Sequence, residues 1–148
     1  MLIGIPAILG PELLFTLRSM GHGDEIALVD GNYPAQEHGR RLIRADGIEL
    51  IEMLDAILQV MPVDDFVEQA LFRYVVKGDP AHLEPVHHEM TEVCARRVPG
   101  FDIAALDTTA FYTRVRNAHT VVATSEPRLY ANIVIRKGVV RPKEQERS

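Results

Sequence analysis

A chain of 148 residues with 47% hydrophobic and 25% charged residues has the size and composition of a single globular domain with its own core. Its net charge of -5 argues against a nucleic-acid partner, which would need a concentrated basic face. No apolar run approaches the roughly 18 residues of a membrane span. The lone Cys94 cannot form an internal disulfide. No basic region followed by a long apolar core marks the start as a secretory signal, so the expected location is the cytoplasm.

Pro11 and Glu12 suit the first turn of a helix, where a missing N–H costs nothing and a negative charge meets the positive helix end. Leu13, Leu14, Leu17 and Met20 continue it as one apolar face until Gly21. Glu25 to Val29 is short, apolar and bounded by turn residues, which predicts a buried strand. Asn32 to Arg40 has no period and predicts a long loop, and Leu42 to Arg44 a brief strand. Ile48 to Val60 carries helical periodicity up to Pro62, and Leu71 to Val76 is β-prone. Ala81 to Arg97 predicts a polar helix, Ile103 to Leu106 a strand, and Thr108 to Asn117 a helix capped by Thr108 or Thr109. Thr120 to Ala123 and Ile133 to Ile135 complete the strands. This alternation predicts an α/β fold, one three-layer α/β/α domain over residues 1–140 with a mainly parallel sheet of about six strands. The charged segment 141–148, without apolar anchors, is expected to be a disordered tail.

Phosphate loops, dinucleotide fingerprints and nucleophile elbows are absent. Cys94 sits inside a predicted helix and reads as a packing residue. His82, His87 and His88 with Glu84 and Glu89 lack metal-ligand spacing and read as a solvated helix face; no metal and no organic cofactor is expected. His38 lies in the predicted loop, where approach to a ligand and simple exposure are equally open, and His119 carries no assignment.

His22 differs by its setting between Gly21 and Gly23, an open backbone with no bulky neighbour. Histidine is the side chain that most readily gives and takes protons near neutrality. The bland alternative is a turn residue with no task. Tyr130 and Asn132, two apart before the last strand, fall on one side of an extended backbone. A phenol and a carboxamide there can bind adjacent hydroxyls, or simply pack and turn the chain.

An ordered set of motifs runs nearly the whole length. It comprises Pro11-Glu-Leu-Leu14, Met20-Gly-His-Gly-Asp-Glu-Ile26, Asp30, Ile43-Arg-Ala-Asp-Gly47, Gly78-Asp79, Ala110-Phe-Tyr112, Tyr130-x-Asn-Ile133 and Lys137-Gly-Val139. In this the chain resembles the D-ribose pyranase and L-fucose mutarotase family, and its GHGDE and IRADG segments are similar to the L-fucose branch. The resemblance implies an isomerase that interconverts the α and β anomers of a free monosaccharide without a cofactor. It also implies a proton donor at His22, sugar-binding residues at Asp30, Tyr130 and Asn132, and a homo-oligomeric ring, often a decamer, with sites near subunit interfaces. Thr108 stands where the family has a basic sugar-contacting residue, three before Phe111. The alternative function is a non-catalytic monosaccharide-binding accessory protein.

One conflict is already visible. His22 precedes the first strand and Asp30 ends it, so the two lie on the order of 20 Å apart along an extended chain. In a parallel sheet Tyr130 and Asn132 would fall at the His22 end. Either the loop 21–24 folds back, or a second subunit completes the site.

Overall fold

The computed structural model describes residues 1–142. Its elements are α1 (Pro11–Ser19), β1 (Glu25–Val29), α2 (Ala35–His38), β2 (Leu42–Ala45), α3 (Leu50–Val60) and β3 (Leu71–Tyr74), followed by α4 (Pro85–Arg97), β4 (Ile103–Leu106), α5 (Thr108–Asn117), β5 (Thr120–Thr124) and β6 (Ile133–Arg136). The six strands form one sheet in the order β2-β5-β1-β6-β3-β4.

Alternation along each strand assigns its side chains to two apolar layers. Ile26 and Leu28 of β1 and Ile133 and Ile135 of β6 meet Leu13 and Leu17 of α1, Leu54 and Ile57 of α3, and Met90 of α4. Ala27, Val29, Val121 and Val134 face the other way, against Ala35 of α2 and Phe111 and Val115 of α5. With both faces covered, strands such as β1 and β5 are apolar throughout, which is why they read as continuous runs rather than alternating ones. Among the described residues, no helix is long and apolar enough to cross a membrane.

Pairing departs from expectation at one place that matters. β1–β5, β2–β5 and β3–β4 are parallel, but β6 enters the middle of the sheet antiparallel to both β1 and β3. Leu28 therefore pairs with Ile133, and Glu25 with Arg136. Tyr130 and Asn132, just before β6, lie at the Asp30 end of β1 and not at the His22 end.

Smaller corrections follow the local chemistry. The segment 32–40 contains the single turn α2, with Pro34 before its first residue. Asp107, not Thr108 or Thr109, caps α5: its carboxylate accepts the Ala110 N–H at 2.8 Å. α4 starts at Pro85, and His87 is buried rather than on a solvated face. Its Nδ1 accepts the Glu84 N–H at 3.0 Å, so Nε2 carries the proton and donates to the Tyr130 carbonyl at 2.9 Å. Burial accordingly lowers the His87 pKa. From residue 143 the expected tail lies outside the described residues, while Arg141 pairs with Asp65 at 2.8 Å.

Candidate active site

A cavity of about 220 Å³ opens beyond the carboxyl ends of β1 and β3, where β6 begins between them. In open α/β sheets this crevice, where the strand order reverses, is the favoured place for ligands. The volume is below the roughly 300–1,000 Å³ that encloses drug-sized molecules, so it suits a smaller ligand. All four tyrosines of the chain, Tyr33, Tyr74, Tyr112 and Tyr130, line it. Their rings meet edge-on or tilted at 5.6–5.7 Å: Tyr112 touches Tyr33 and Tyr74, and Tyr74 touches Tyr130. Burial pushes the Tyr33 and Tyr112 hydroxyls above their ordinary pKa, so both remain protonated hydrogen-bond donors at neutral pH.

Asp30 sits at the floor, buried to 6% exposure. Asn132 is its clamp: the Asn132 Oδ1 accepts the Asp30 N–H at 2.8 Å and its Nδ2 donates to Oδ2 at 3.1 Å. The Asn32 N–H donates to Oδ1 at 2.9 Å. Burial raises the Asp30 pKa, and these donors pull against it. Asn132 thus spends one Nδ2 hydrogen and one Oδ1 lone pair on Asp30, while it also lines the cavity beside Tyr130. Tyr130 takes a left-handed backbone, φ 61°, a conformation that costs a non-glycine residue about 1–2 kcal/mol. The His87 bond to its carbonyl holds it there. Thr108 does not line the cavity; its Oγ1 lies 2.7 Å from the Tyr74 hydroxyl, one hydrogen bond behind the wall.

His38 is buried and reaches the same cavity through Tyr33. Arg116 can only donate, so the His38 Nε2, 3.0 Å from it, is an acceptor. The proton then sits on Nδ1 and is donated to the Tyr33 oxygen at 2.8 Å. This leaves the hydrogen of the Tyr33 hydroxyl available to a ligand.

His22 lies at the opposite end of the sheet. The Gly23 N–H donates to the Lys137 carbonyl at 2.8 Å, and the Lys137 N–H to that of Asp24 at 2.8 Å. These bonds fix the loop to the far end of β6, so it does not fold back. Gly23 has φ 89°, and a Cβ there would meet the Arg136 guanidinium at 3.0 Å. The His22 Nε2 is 2.9 Å from Asp64 Oδ1, on a side chain with no solvent exposure. Burial alone would raise the Asp64 pKa. The Arg136 Nε at 2.8 Å, the Phe66 N–H at 3.0 Å and His22 outweigh it and hold that carboxyl at about 2. An ionised Asp64 accepts, so Nε2 of His22 carries a proton and Nδ1 is the nitrogen left for chemistry. Phe66 packs its ring 4.9 Å from the imidazole, which keeps 41% of its side-chain surface open.

The structure therefore groups Asp30, Tyr130 and Asn132 at one end, with Thr108 close behind, and sets His22 apart from them. The largest of the described cavities, about 650 Å³, is at neither group. Its arginines are already engaged: Arg114 with Glu25, Arg40 and Arg41 with the carbonyls of Asn117 and His119. Sequence reasoning missed Asp64, Tyr33, Tyr74 and Tyr112. For the tyrosines the sequence held no signal, because only the antiparallel β6 brings Tyr130 to the end of the sheet that Tyr33 and Tyr74 occupy.

The family model described as "RbsD / FucU transport protein family" matches residues 3–140. Over 147 residues the chain is 40% identical to a fucose mutarotase of Danio rerio, covering 96% of each. It is 38% identical to an L-fucose mutarotase of Glaesserella parasuis, covering 94% of this chain and 96% of that one. Its fold matches the crystal structure of a fucose mutarotase from Streptococcus pneumoniae in complex with L-fucose, with a TM-score of 0.87, 41% identity, and coverage of 95% of this chain and 100% of that one. With its motifs, its fold and a match that runs from residue 3 to residue 140, the chain belongs to the RbsD / FucU family.

Proposed function

We propose that this chain is an aldose mutarotase, an isomerase that interconverts the α and β anomers of L-fucose by acid–base ring opening. The fucose mutarotases to which it is about 40% identical support the reaction. The observation that carries the mechanism is the His22–Asp64 pair, an open imidazole whose inner nitrogen is fixed by a buried, ionised carboxylate.

Anomer exchange opens a hemiacetal: the ring oxygen gains a proton as the anomeric hydroxyl loses one. The C1–C2 bond rotates in the aldehyde, and the ring closes on the other face. The bond from C1 to the ring oxygen breaks as the C1 carbonyl forms, and the open form is neutral, so what the protein supplies is the transfer of the two protons. In this reading the Nδ1 of His22 gives and takes the proton of the ring oxygen, and Asp64 fixes the tautomer and orients the ring. Asp30 and the tyrosine hydroxyls bind the sugar hydroxyls, with the aromatic walls against its C–H faces.

His22 and Asp30 lie at opposite ends of a five-residue strand at about 3.3 Å per residue. One sugar can meet both only if the His22 end of one subunit docks on the Asp30 end of another. Exposed apolar residues flank both ends, Phe66 at 63% and Val67 at 38% beside His22, and Leu129 at 61% beside Tyr130. Such a head-to-tail contact joins two different surfaces and forms a ring when the rotation between subunits closes; the decamer proposed here is of that kind. A cytoplasmic location belongs to the same proposal, supported by a single, buried cysteine.

Saturation-transfer NMR between the two anomeric protons of L-fucose, with D-ribose, D-galactose and L-rhamnose as comparisons, tests the proposal. Wild-type protein accelerates exchange of L-fucose most, and His22→Ala removes about 10²–10⁴-fold of the acceleration without unfolding the chain. Sugar binding by calorimetry with no acceleration would instead identify a binding accessory protein.

A further inference from the structure

A second cavity, about 570 Å³, lies on the other face of the sheet, between α4 and the edge strand β4. The alternation of β3 places Leu71 and Arg73 on this face and Phe72 on the opposite one. Arg73 is 6% exposed and lines the cavity. Its Nη2 donates to the Pro80 carbonyl at 2.8 Å, and its Nη1 makes a long contact of 3.5 Å to that of Tyr74. Among the described residues it forms no ion pair, and burial lowers its pKa with no neighbouring carboxylate to oppose the shift. A buried, unpaired guanidinium costs several kcal/mol, and β3 holds it in a sheet that an apolar side chain would fit at no such cost. Asp102 at the rim is exposed and does not pair with it.

The rest of the lining narrows what can answer that charge. His87 contributes none, because both its nitrogens are committed to Glu84 and Tyr130. Cys94, its thiol pushed up to about 11 by burial, is neutral. Phe101, Leu83 and Ile103 supply apolar walls, and the Thr91 hydroxyl is at hand. One planar guanidinium, with N–H groups left over beyond those given to the Pro80 and Tyr74 carbonyls, matches one carboxylate, and the apolar walls suit a hydrocarbon body better than a hydrated phosphate. We propose that the cavity between α4 and β4 binds a small organic carboxylate, such as an aromatic or branched aliphatic acid, on Arg73. This site is separate from the tyrosine-lined cavity and stands independently of the reaction proposed there.

The test uses the full chain with benzoate, its neutral isostere benzamide, and inorganic phosphate, each at constant ionic strength. Ligand-observed saturation-transfer NMR and thermal shift give the readouts. Benzoate is expected to bind and raise the Tm, benzamide to bind about tenfold or more weakly, and phosphate to leave the Tm where chloride does. Arg73→Met abolishes the benzoate response. Should Arg73→Met fail to fold, Arg73→Gln keeps a neutral N–H donor at this position, without the charge, and abolishes the response equally. No benzoate binding to the wild type, equal binding of benzamide, a preference for phosphate, or benzoate binding retained in either folded variant overturns the proposal.

Discussion

At His22 the nitrogen that touches Asp64 is not the one that would meet a substrate. Because the carboxylate fixes the proton on Nε2, replacing it with an amide changes the tautomer more than the shape. Asp64→Asn is therefore expected to slow anomer exchange by ~10–10⁴-fold while the fold stays intact, measured by saturation-transfer NMR beside circular dichroism. The same residue predicts an acid dependence. Its pKa is about 2 in the folded chain against an ordinary 3.8, so the stability it contributes is fully present above the unfolded value and is lost as pH falls through about 2. Denaturation midpoints of the wild type fall across that window, and those of Asp64→Asn fall less. Tyr33→Phe tests the other end: it removes the hydroxyl that His38 leaves free to donate, and should raise KM for the sugar by about 2–10-fold, while the buried His38 N–H left without its acceptor costs ~1–3 kcal/mol of stability. In the sequence the bracketing glycines made His22 a candidate, and the family resemblance supplied its proposed role as proton donor. Asp64 was not legible there, since it bonds to a residue 42 positions away and sits beside a second aspartate, Asp65, that only pairs with Arg141 on the surface.

The elements themselves were mostly readable, because β1, α3 and β5 carry apolar patterns that end at clear turn residues. Strand direction was not: Ile133–Arg136 is as apolar as its parallel neighbours, and nothing local distinguishes an antiparallel strand buried among them. That one direction decides the site, moving Tyr130 and Asn132 to the Asp30 end. The caps were blurred for a similar reason, as Asp107, Thr108 and Thr109 are all competent and only geometry selects the first. Past β6 the chain is fitted tightly to the segment that carries Asp64. A Cβ on Gly138 would lie 2.5 Å from the Val63 carbonyl oxygen, and the Gly138 N–H donates to Pro62 at 2.9 Å. Gly138→Ala should thus push the 62–64 segment away, costing ~1–3 kcal/mol by denaturant titration and lowering exchange because Asp64 moves with it.

In the whole molecule, two half-sites face opposite ways from one sheet. The Asp30 end has a floor, aromatic walls and hydroxyl donors; the His22 end, in the proposed reading, brings the acid–base group on an open surface. Exposed Phe66 and Leu129 lie beside the two halves, so docking one end on the other would bury apolar surface and complete the site in the same step. Such a site depends on assembly, and its subunits can complement one another. His22→Ala and Asp30→Ala, each inactive alone, are co-refolded in equal amounts and assayed for L-fucose anomer exchange by saturation transfer. Random head-to-tail assembly places an intact His22 beside an intact Asp30 in about a quarter of the sites, so exchange returns to about that fraction of the wild-type rate. Exchange that stays at the level of the separate variants, in a mixture that has demonstrably formed mixed oligomers, would contradict a site shared between subunits.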